Sequence, residues 1–258
     1  MARRIIAAGY PVTLWARRPA SLEPFAGTGA AVAGSAAELA AASDVICVCV
    51  LGDADVEEVV AGEGGAAAGL GAGSVVAVHS TVHPDTCRRL GAAVRERGAE
   101  LIDAPVSGGG PAADQGRLLV MAGGPAAAVE FCRPVLAAFG DPVLHLGPLG
   151  SGQVAKLINN VLFTANLGTA ASALALGQAL GLGPGRLAEV ISRGSAASFA
   201  LDRIAAAGGT LEPMAARAGP LLGKDVSLVA ALADAAAVPA GAVLAAADAA
   251  LELMGQGR

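Results

Sequence analysis

The chain has 258 residues, of which 54% are hydrophobic, 15% are charged and 3% are aromatic, and its net charge is −5 at pH 7. The low charge content excludes a disordered chain, and the lack of a basic stripe with interleaved aromatic residues argues against nucleic acid as a partner. No run of 18 apolar residues is free of a glycine, polar or charged break, so we expect no membrane span.

Cysteine and histidine give no sign of a disulfide or a metal site. The four cysteines form no C-x-x-C pair, and the three histidines have no carboxylate or thiol neighbours at ligand spacing. The N-terminal segment is too short in its apolar part to be a signal peptide. We therefore expect a cytoplasmic protein without a metal ion.

The first half of the chain alternates short apolar runs with Ala-rich helical stretches. It opens with the end of a helix over residues 1–9, and the runs that predict strands are 11–15, 45–51, 74–80, 100–106, 118–124 and 142–147. Between them, Ser35 and Glu38 form a capping box, Pro84 suits a first helical position and Gly98 suits the end of a helix. This alternation predicts a doubly wound α/β domain with a parallel sheet.

The character of the sequence changes after Gly152. From Gln153 to Leu180 there is no proline, and apolar residues recur at helical spacing, which predicts a helix about 40 Å long. Further Ala- and Leu-rich helices follow, with no alternating strand pattern. We therefore predict two domains, an α/β domain at residues 1–149 and an all-helical domain at residues 150–258.

The first candidate site is a Gly-rich segment that follows a predicted strand. Ser107, Gly108 and Gly109 come after the run LIDAPV, at the edge of the sheet where ligands bind in open α/β folds. Bare backbone N–H groups beside a hydroxyl form a nest for a carboxylate. The alternative is a Gly-rich turn that binds nothing.

The second candidate site is Lys156 with Asn160, four residues apart and therefore on one face of the long helix. Of the 17 basic residues only Lys156 and Lys224 are lysines, so a lysine at these positions points to a specific role. A desolvated ammonium can lose its proton whereas a guanidinium cannot, which makes Lys156 a candidate proton donor to a carbonyl oxygen. The alternative is a lysine that extends into solvent.

Two further predicted strand ends and one helix start carry polar candidates. Arg17 and Arg18 lie where dinucleotide folds meet the adenosine ribose, and two arginines without an acid favour the 2′-phosphate of NADP. Thr81 offers a hydroxyl after another strand. Lys224 precedes Asp225 at the start of a predicted helix. Since adjacent helical residues do not face each other, we expect no ion pair there and predict that Lys224 reaches a phosphate or another subunit, with a solvated helix end as the alternative.

Five motifs, in this order and spacing, resemble the β-hydroxyacid dehydrogenase family, which includes 3-hydroxyisobutyrate dehydrogenases and several semialdehyde reductases. The motifs are STVHP at 80–84, DAPVSGG at 103–109, GRLLVMAGG at 116–124, GSGQVAKLINN at 150–160 and GKD at 223–225. The resemblance covers essentially the whole chain. It implies a Rossmann domain joined through a long helix to a helical dimerisation domain, NADP or NAD as cofactor, a small carboxylated aldehyde or hydroxyacid as substrate, and a homodimer or a tetramer of dimers.

The resemblance also implies roles for individual residues. Lys156 would be the catalytic acid/base, and Asn160 would bind the substrate beside it. Ser107, Gly108 and Gly109 would hold the substrate carboxylate. The positions that would contact the cofactor are Arg17, Arg18, Leu51, Val56, Thr81 and Lys224.

The chain departs from the family pattern at both ends. The opening strand and the G-x-G-x-x-G-type loop of the family would lie just before Met1, and the tail after the last helix is short, so we expect either a misplaced start or a truncated gene. Two other interpretations stay open. One is an imine reductase, which resembles the family in fold but usually lacks a lysine at the position of Lys156. The other is a non-catalytic remnant that keeps the helical dimer and binds no dinucleotide.

Overall fold

The computed structural model describes all 258 residues, which divide into two compact units, Met1–Lys156 and Leu157–Arg258. The first unit mixes strands and helices, and the second contains helices and no strand. The predicted fold class, an α/β part followed by an all-helical part, is therefore confirmed.

Before the long helix begins, the first unit contains eight short strands, six α-helices and two 3₁₀ helices, the latter at Pro19–Phe25 and Ala66–Ala68. The strands are β1 (Thr13–Leu14), β2 (Ala31–Val32), β3 (Val45–Val48), β4 (Val75–Val78), β5 (Glu100–Asp103), β6 (Val106–Ser107), β7 (Leu118–Ala122) and β8 (Gly140–His145). The helices are α1 (Ala2–Ala7), α2 (Ala36–Ala41), α3 (Asp53–Ala61), α4 (Pro84–Arg95), α5 (Gly109–Gln115) and α6 (Ala126–Ala137).

Parallel pairing dominates the strands of this unit. β3, β4 and β5 form a parallel sheet in that order, and β1–β2 and β7–β8 are parallel pairs. β6 differs, because it pairs antiparallel with β7. Parallel strands connected by helices make a Rossmann-like fold, so the predicted fold class is confirmed. β2 was not predicted, since its two residues are exposed and show no strand pattern.

The central strand β4 shows why its sequence is apolar at every position. All four of its residues are buried, and alternate side chains enter different cores. Val76 and Val78 pack in a core with residues of α3 and α4. Val75 and Ala77 pack in a second core with residues of α6. A parallel strand covered on both faces has no position for a polar side chain.

The predicted capping signals are confirmed at the helix ends. The Glu38 N–H donates to the Ser35 hydroxyl at 3.1 Å, which caps α2 as predicted. The Glu38 carboxylate accepts from the N–H of Gly34 at 2.8 Å, one residue before the N-cap, and not from Ser35 as in the standard capping box. Pro84 is the first residue of α4. Gly98, shortly after that helix ends, has a left-handed φ of 75°, which glycine adopts at little cost.

The second unit continues the long helix and adds four more. These helices are α7 (Ser151–Ala179), α8 (Pro184–Arg193), α9 (Phe199–Ala206), α10 (Glu212–Ala235) and α11 (Gly241–Leu253). The long helix is thus confirmed. At Gly168 on α7, a Cβ would lie 2.7 Å from the Cβ of Ala250 on α11, so small residues allow these two helices to approach closely. No helix in the chain combines the length and the apolar character needed to cross a membrane.

Candidate functional site

The carboxyl ends of β3 and β4 carry two of the residues predicted to contact a cofactor. Neighbouring parallel strands end at one edge of a sheet, which is where ligands bind in such folds. Leu51 follows β3 and is 70% exposed, so it offers an apolar contact surface. Thr81 follows β4 and is half-buried. Val56 differs from both, because it lies on α3 with its side chain fully buried in the protein core.

A turn built from glycine connects β6 to α5. Ser107 ends β6 and pairs with Leu119. Gly108 and Gly109 have φ values of 126° and 71°, which favour glycine. Gly108 also has no room for a side chain, since a Cβ there would lie 2.6 Å from the Cβ of Ala112. Gly108 and Gly109 are exposed, and an exposed glycine turn next to a serine is suited to binding a carboxylate.

Lys156 lies in the second turn of α7 and is half-buried. α7 is continuous from Ser151 to Ala179, so Asn160 follows Lys156 by about one turn on the same face. A regular helix therefore fixes the spacing between the lysine and the amide.

Asp225 holds the side chain of Asn160 within the second unit. The Asn160 Nδ2 donates to the Asp225 Oδ2 at 2.6 Å, which links α7 to α10. Asp225 is only 4% exposed. The Lys224 Nζ lies 2.8 Å from the other carboxylate oxygen, Oδ1. That contact is an ion pair and not an aligned hydrogen bond, because Oδ1 is buried without a hydrogen-bond partner. One cation and one amide thus balance the buried carboxylate.

The expectation that Lys224 and Asp225 do not pair is wrong. The Cα–Cβ directions of adjacent helical residues diverge, but the flexible four-carbon stem of lysine lets its Nζ return to the neighbouring carboxylate. Asp225 was also missed as a site residue. The available signal was an acid beside one of the two lysines in a mostly apolar helix.

Arg17 meets two carboxylates that its local sequence does not show. Its guanidinium lies 2.7 Å from Asp55 Oδ1 and 3.2 Å from Glu58 Oε2, both on α3. The segment around Arg17 has no acid of its own, but α3 brings two carboxylates to the Arg17 guanidinium. Arg18, the next residue, is exposed.

The residues at these edges suit an anionic ligand. They supply a hydroxyl at Ser107, a hydroxyl at Thr81, backbone N–H groups at the glycine turn and cationic groups at Arg17 and Arg18. Such donors bind phosphate and carboxylate groups. No group of three or more His, Cys, Asp or Glu side chains in the chain is arranged to hold a metal ion.

Two family models match the chain, one in each half. The first, described as the NAD binding domain of 6-phosphogluconate dehydrogenase, matches residues 1–147. The second, described as the NAD-binding domain of NADP-dependent 3-hydroxyisobutyrate dehydrogenase, matches residues 150–257.

Named relatives and solved structures agree with these models. The NAD-dependent L-serine dehydrogenase of Pseudomonas aeruginosa is 37% identical over 78% of this chain and 68% of its own length. The 3-hydroxyisobutyrate dehydrogenase of Mycobacterium tuberculosis, solved with L-serine, matches with a TM-score of 0.83 and 26% identity, over 98% of this chain and 88% of its own. Psf3 in complex with NADP+ and 2-OPP matches with a TM-score of 0.84 and 27% identity, over the same shares of the two chains.

Proposed function

The chain belongs to the β-hydroxyacid dehydrogenase family of NAD(P)-dependent oxidoreductases, and from this premise we propose that it interconverts a small hydroxyacid and the corresponding semialdehyde. The observation that carries the proposal is that both halves match models of dehydrogenase domains. The second half contains Asn160 and Lys224, and the same match includes Lys156.

We propose a carboxylic acid with a hydroxyl group on its β-carbon as the substrate class. L-serine is such a compound; it appears in the name of one relative, and one similar structure was solved with it. In this chain Ser107, Gly108 and Gly109 bind the carboxylate through the hydroxyl and the backbone N–H groups of the turn. The carboxylate thereby orients the substrate, and the β-hydroxyl is left for the proton-transferring group.

Lys156 is the acid/base in the proposed reaction. A bound nicotinamide cofactor supplies or accepts the hydride. When the hydroxyacid is formed, protonated Lys156 donates a proton to the carbonyl oxygen, and in the reverse direction neutral Lys156 removes the hydroxyl proton. Asn160 binds the substrate beside Lys156, and its amide is oriented by the hydrogen bond to Asp225.

We propose NADP as the preferred cofactor. Arg17 and Arg18 take the 2′-phosphate, which replaces the carboxylates of Asp55 and Glu58 at the Arg17 guanidinium. Other cofactor contacts in this proposal are Leu51, Thr81 and Lys224. The predicted contact from Val56 is not proposed again, because its side chain is fully buried in the core. The NADP complex of a similar structure supports the preference, whereas one relative is named NAD-dependent.

We also propose that the chain self-associates, as a homodimer or a tetramer of dimers. The support is an exposed apolar stripe made of Ile158, Leu162 and Leu176 on α7 and Leu180 directly after its end, which are 51–74% exposed. Their spacing puts all four on one helix face. A second copy of the chain is the natural cover for such a stripe.

The role of Lys156 is tested by replacing it. Lys156→Ala should lower kcat by about 10²–10⁴-fold, the usual contribution of a general acid/base, with the Kd for NADPH changed less than about twofold. Lys156→Arg is the matched control for charge, and it should be equally inactive because a guanidinium does not release its proton. Turnover within tenfold of the wild type in either variant would contradict the assignment.

A further inference from the structure

A buried polar cluster in the first unit is not explained by any of these roles. Its centre is Asp103, the last residue of β5, which is fully buried. The Asp103 Oδ1 accepts from the Gly150 N–H at 2.7 Å, and its Oδ2 accepts from the Gln153 N–H at 2.7 Å. These N–H groups belong to the start of α7, which has no carbonyl partners for them. Asp103 therefore caps the long helix from a strand end far away in sequence.

Gln153 connects the same helix start to the loop after β4. Its side chain is fully buried. The Gln153 Oε1 accepts from the Val82 N–H at 3.1 Å, and its Nε2 donates to the Ser80 carbonyl at 2.8 Å. These two backbone groups flank Thr81. The Ser80 hydroxyl in turn accepts from the Val50 N–H at 2.8 Å, which adds the loop after β3.

The cluster has little freedom to move, because glycines enclose it tightly. A Cβ at Gly152 would lie 2.1 Å from the Met121 carbonyl oxygen and 2.8 Å from the Asp103 Oδ2. A Cβ at Gly123 would lie 2.5 Å from the Asp103 Oδ1. The Asp103 carboxylate and the Gln153 amide thus connect four of the sequence motifs, DAPVSGG, GRLLVMAGG, GSGQVAK and STVHP.

Helix capping alone does not account for a buried carboxylate here. Burial raises the pKa of Asp103, and the backbone N–H groups of Gly150 and Gln153 counter that effect only in part. A neutral hydroxyl could cap the helix without the cost of desolvating a charge. What the carboxylate adds is two short, charge-assisted hydrogen bonds that fix both the position and the rotation of the first helical turn.

We propose that Asp103 and Gln153 are positioning residues that set the first turn of α7, and with it Lys156, against the carboxyl edge of the sheet. Lys156 follows Gln153 by three residues, so a shift or rotation at Gln153 moves Lys156 by a similar amount. Gln153 also fixes the Thr81 peptide, so it acts on the cofactor side as well. The inference rests on the proposed acid/base role of Lys156.

The two residues are distinguished by different variants of the full-length chain. Asp103→Asn keeps the shape but presents an N–H₂ group to one of two N–H donors, so we expect kcat to fall by about 10–100-fold with a shifted pH profile. The Kd for NADPH should stay within twofold. In hydrogen exchange, the amides of Gly150 and Gln153 should exchange at least tenfold faster. Asp44→Asn, which removes an exposed charge at the amino end of β3, is the control and should behave as wild type.

Gln153→Glu distinguishes a positioning role of Gln153 from a merely structural one, because only the positioning role predicts that activity and NADPH binding recover with pH. An ionised glutamate opposes the Ser80 carbonyl, whereas a protonated one can donate to it as the amide does. Both kcat and NADPH binding should therefore be impaired at high pH and recover as the pH falls. This variant also decides the matter if Asp103→Asn fails to fold.

Two results would overturn the inference: wild-type kcat in Asp103→Asn, or no recovery of Gln153→Glu at low pH in either kcat or NADPH affinity. The inference would also be overturned if kcat fell only in proportion to the fraction of folded protein and the pH profile stayed unchanged. If the wild type itself turns over no hydroxyacid, the proposed function fails. The amide exchange rates of Asp103→Asn and the NADPH titration of Gln153→Glu then still test whether the cluster fixes the start of α7.

Discussion

Asp103, Asp225 and His79 are ionisable side chains buried in this chain, and each is accommodated differently. Asp225 faces an ammonium and an amide, and Asp103 receives backbone N–H groups. The His79 Nδ1–H donates to the Ala104 carbonyl at 2.7 Å, while its Nε2 is buried without a partner. A proton on that Nε2 would put an unpaired charge in the core, so His79 makes the fold sensitive to acid.

The pH dependence of stability tests this interpretation of His79. Burial lowers its pKa from 6.5 to about 4, so the unfolded state binds the proton more readily. The contribution of His79 is therefore fully present above pH 6.5 and is lost as the pH falls towards 4. Between pH 7.5 and pH 5 it amounts to about 2 kcal/mol of unfolding free energy. His79→Asn keeps a donor for the Ala104 carbonyl. It should remove this part of the pH dependence of the unfolding free energy, measured by urea denaturation at each pH. An unchanged slope would contradict the account.

At the residue scale, composition predicted more of the site than local geometry did. The rarity of lysine singled out Lys156 and Lys224, which both lie in motifs shared with the family. The same reasoning missed Asp225, because it assumed that neighbouring helical side chains stay apart. It also missed the acids at Arg17, because Asp55 lies in another element and no local pattern records the pairing.

At the scale of elements, the pattern of apolar residues predicts the buried strands and the long helix and misses exposed strands. The continuously apolar β4 and the long α7 are confirmed. The two-residue β2 was missed, since both its residues are exposed and nothing in their pattern requires a strand. The docking of α7 on β5 was also beyond the sequence, because it depends on side-chain hydrogen bonds from Asp103 to a helix start 47 residues away.

Backbone contact at the start of α7 leads to a prediction at this scale. In Gly152→Ala the new Cβ would lie 2.1 Å from the Met121 carbonyl oxygen, so the helix or β7 must shift. We expect a loss of about 1–3 kcal/mol in the free energy of unfolding. Gly185→Ala is the matched control, since it too is a second helical residue but has nothing within 4 Å. It should be neutral or gain up to about 1 kcal/mol. If Gly152→Ala and Gly185→Ala changed the free energy of unfolding equally in chemical denaturation, the close contact at Gly152 would be refuted.

At the scale of the whole molecule, each unit has its own core. The α/β unit has cores on both faces of β4, and the helical unit has a core of Leu, Ile, Val, Ala and Met side chains with Phe163 packed against it. α7 contributes buried residues such as Leu157 and Val161 to the helical core, while its exposed stripe is left for another surface.

Self-association through the α7 stripe is a prediction about the assembled protein. Light scattering should give a multiple of the 24.9 kDa chain mass. Leu176→Glu with Leu180→Glu places charges on the stripe and should shift the protein towards the single-chain mass, since the stripe is proposed to be covered by a second copy. A wild-type mass of one chain, or a variant that associates as the wild type does, would exclude this interface.

The most direct test of the central claim is steady-state turnover by the whole chain, followed through NADPH fluorescence. The substrates are L-serine, 3-hydroxyisobutyrate and other small β-hydroxyacids, each with NADP+ and with NAD+. We expect oxidation of at least one of them, with kcat of about 1–10³ s⁻¹. We also expect kcat/KM to be at least about tenfold higher with NADP+ than with NAD+, the equivalent of about 1.4 kcal/mol from the 2′-phosphate. A folded protein that oxidises none of these acids with either cofactor would contradict the account.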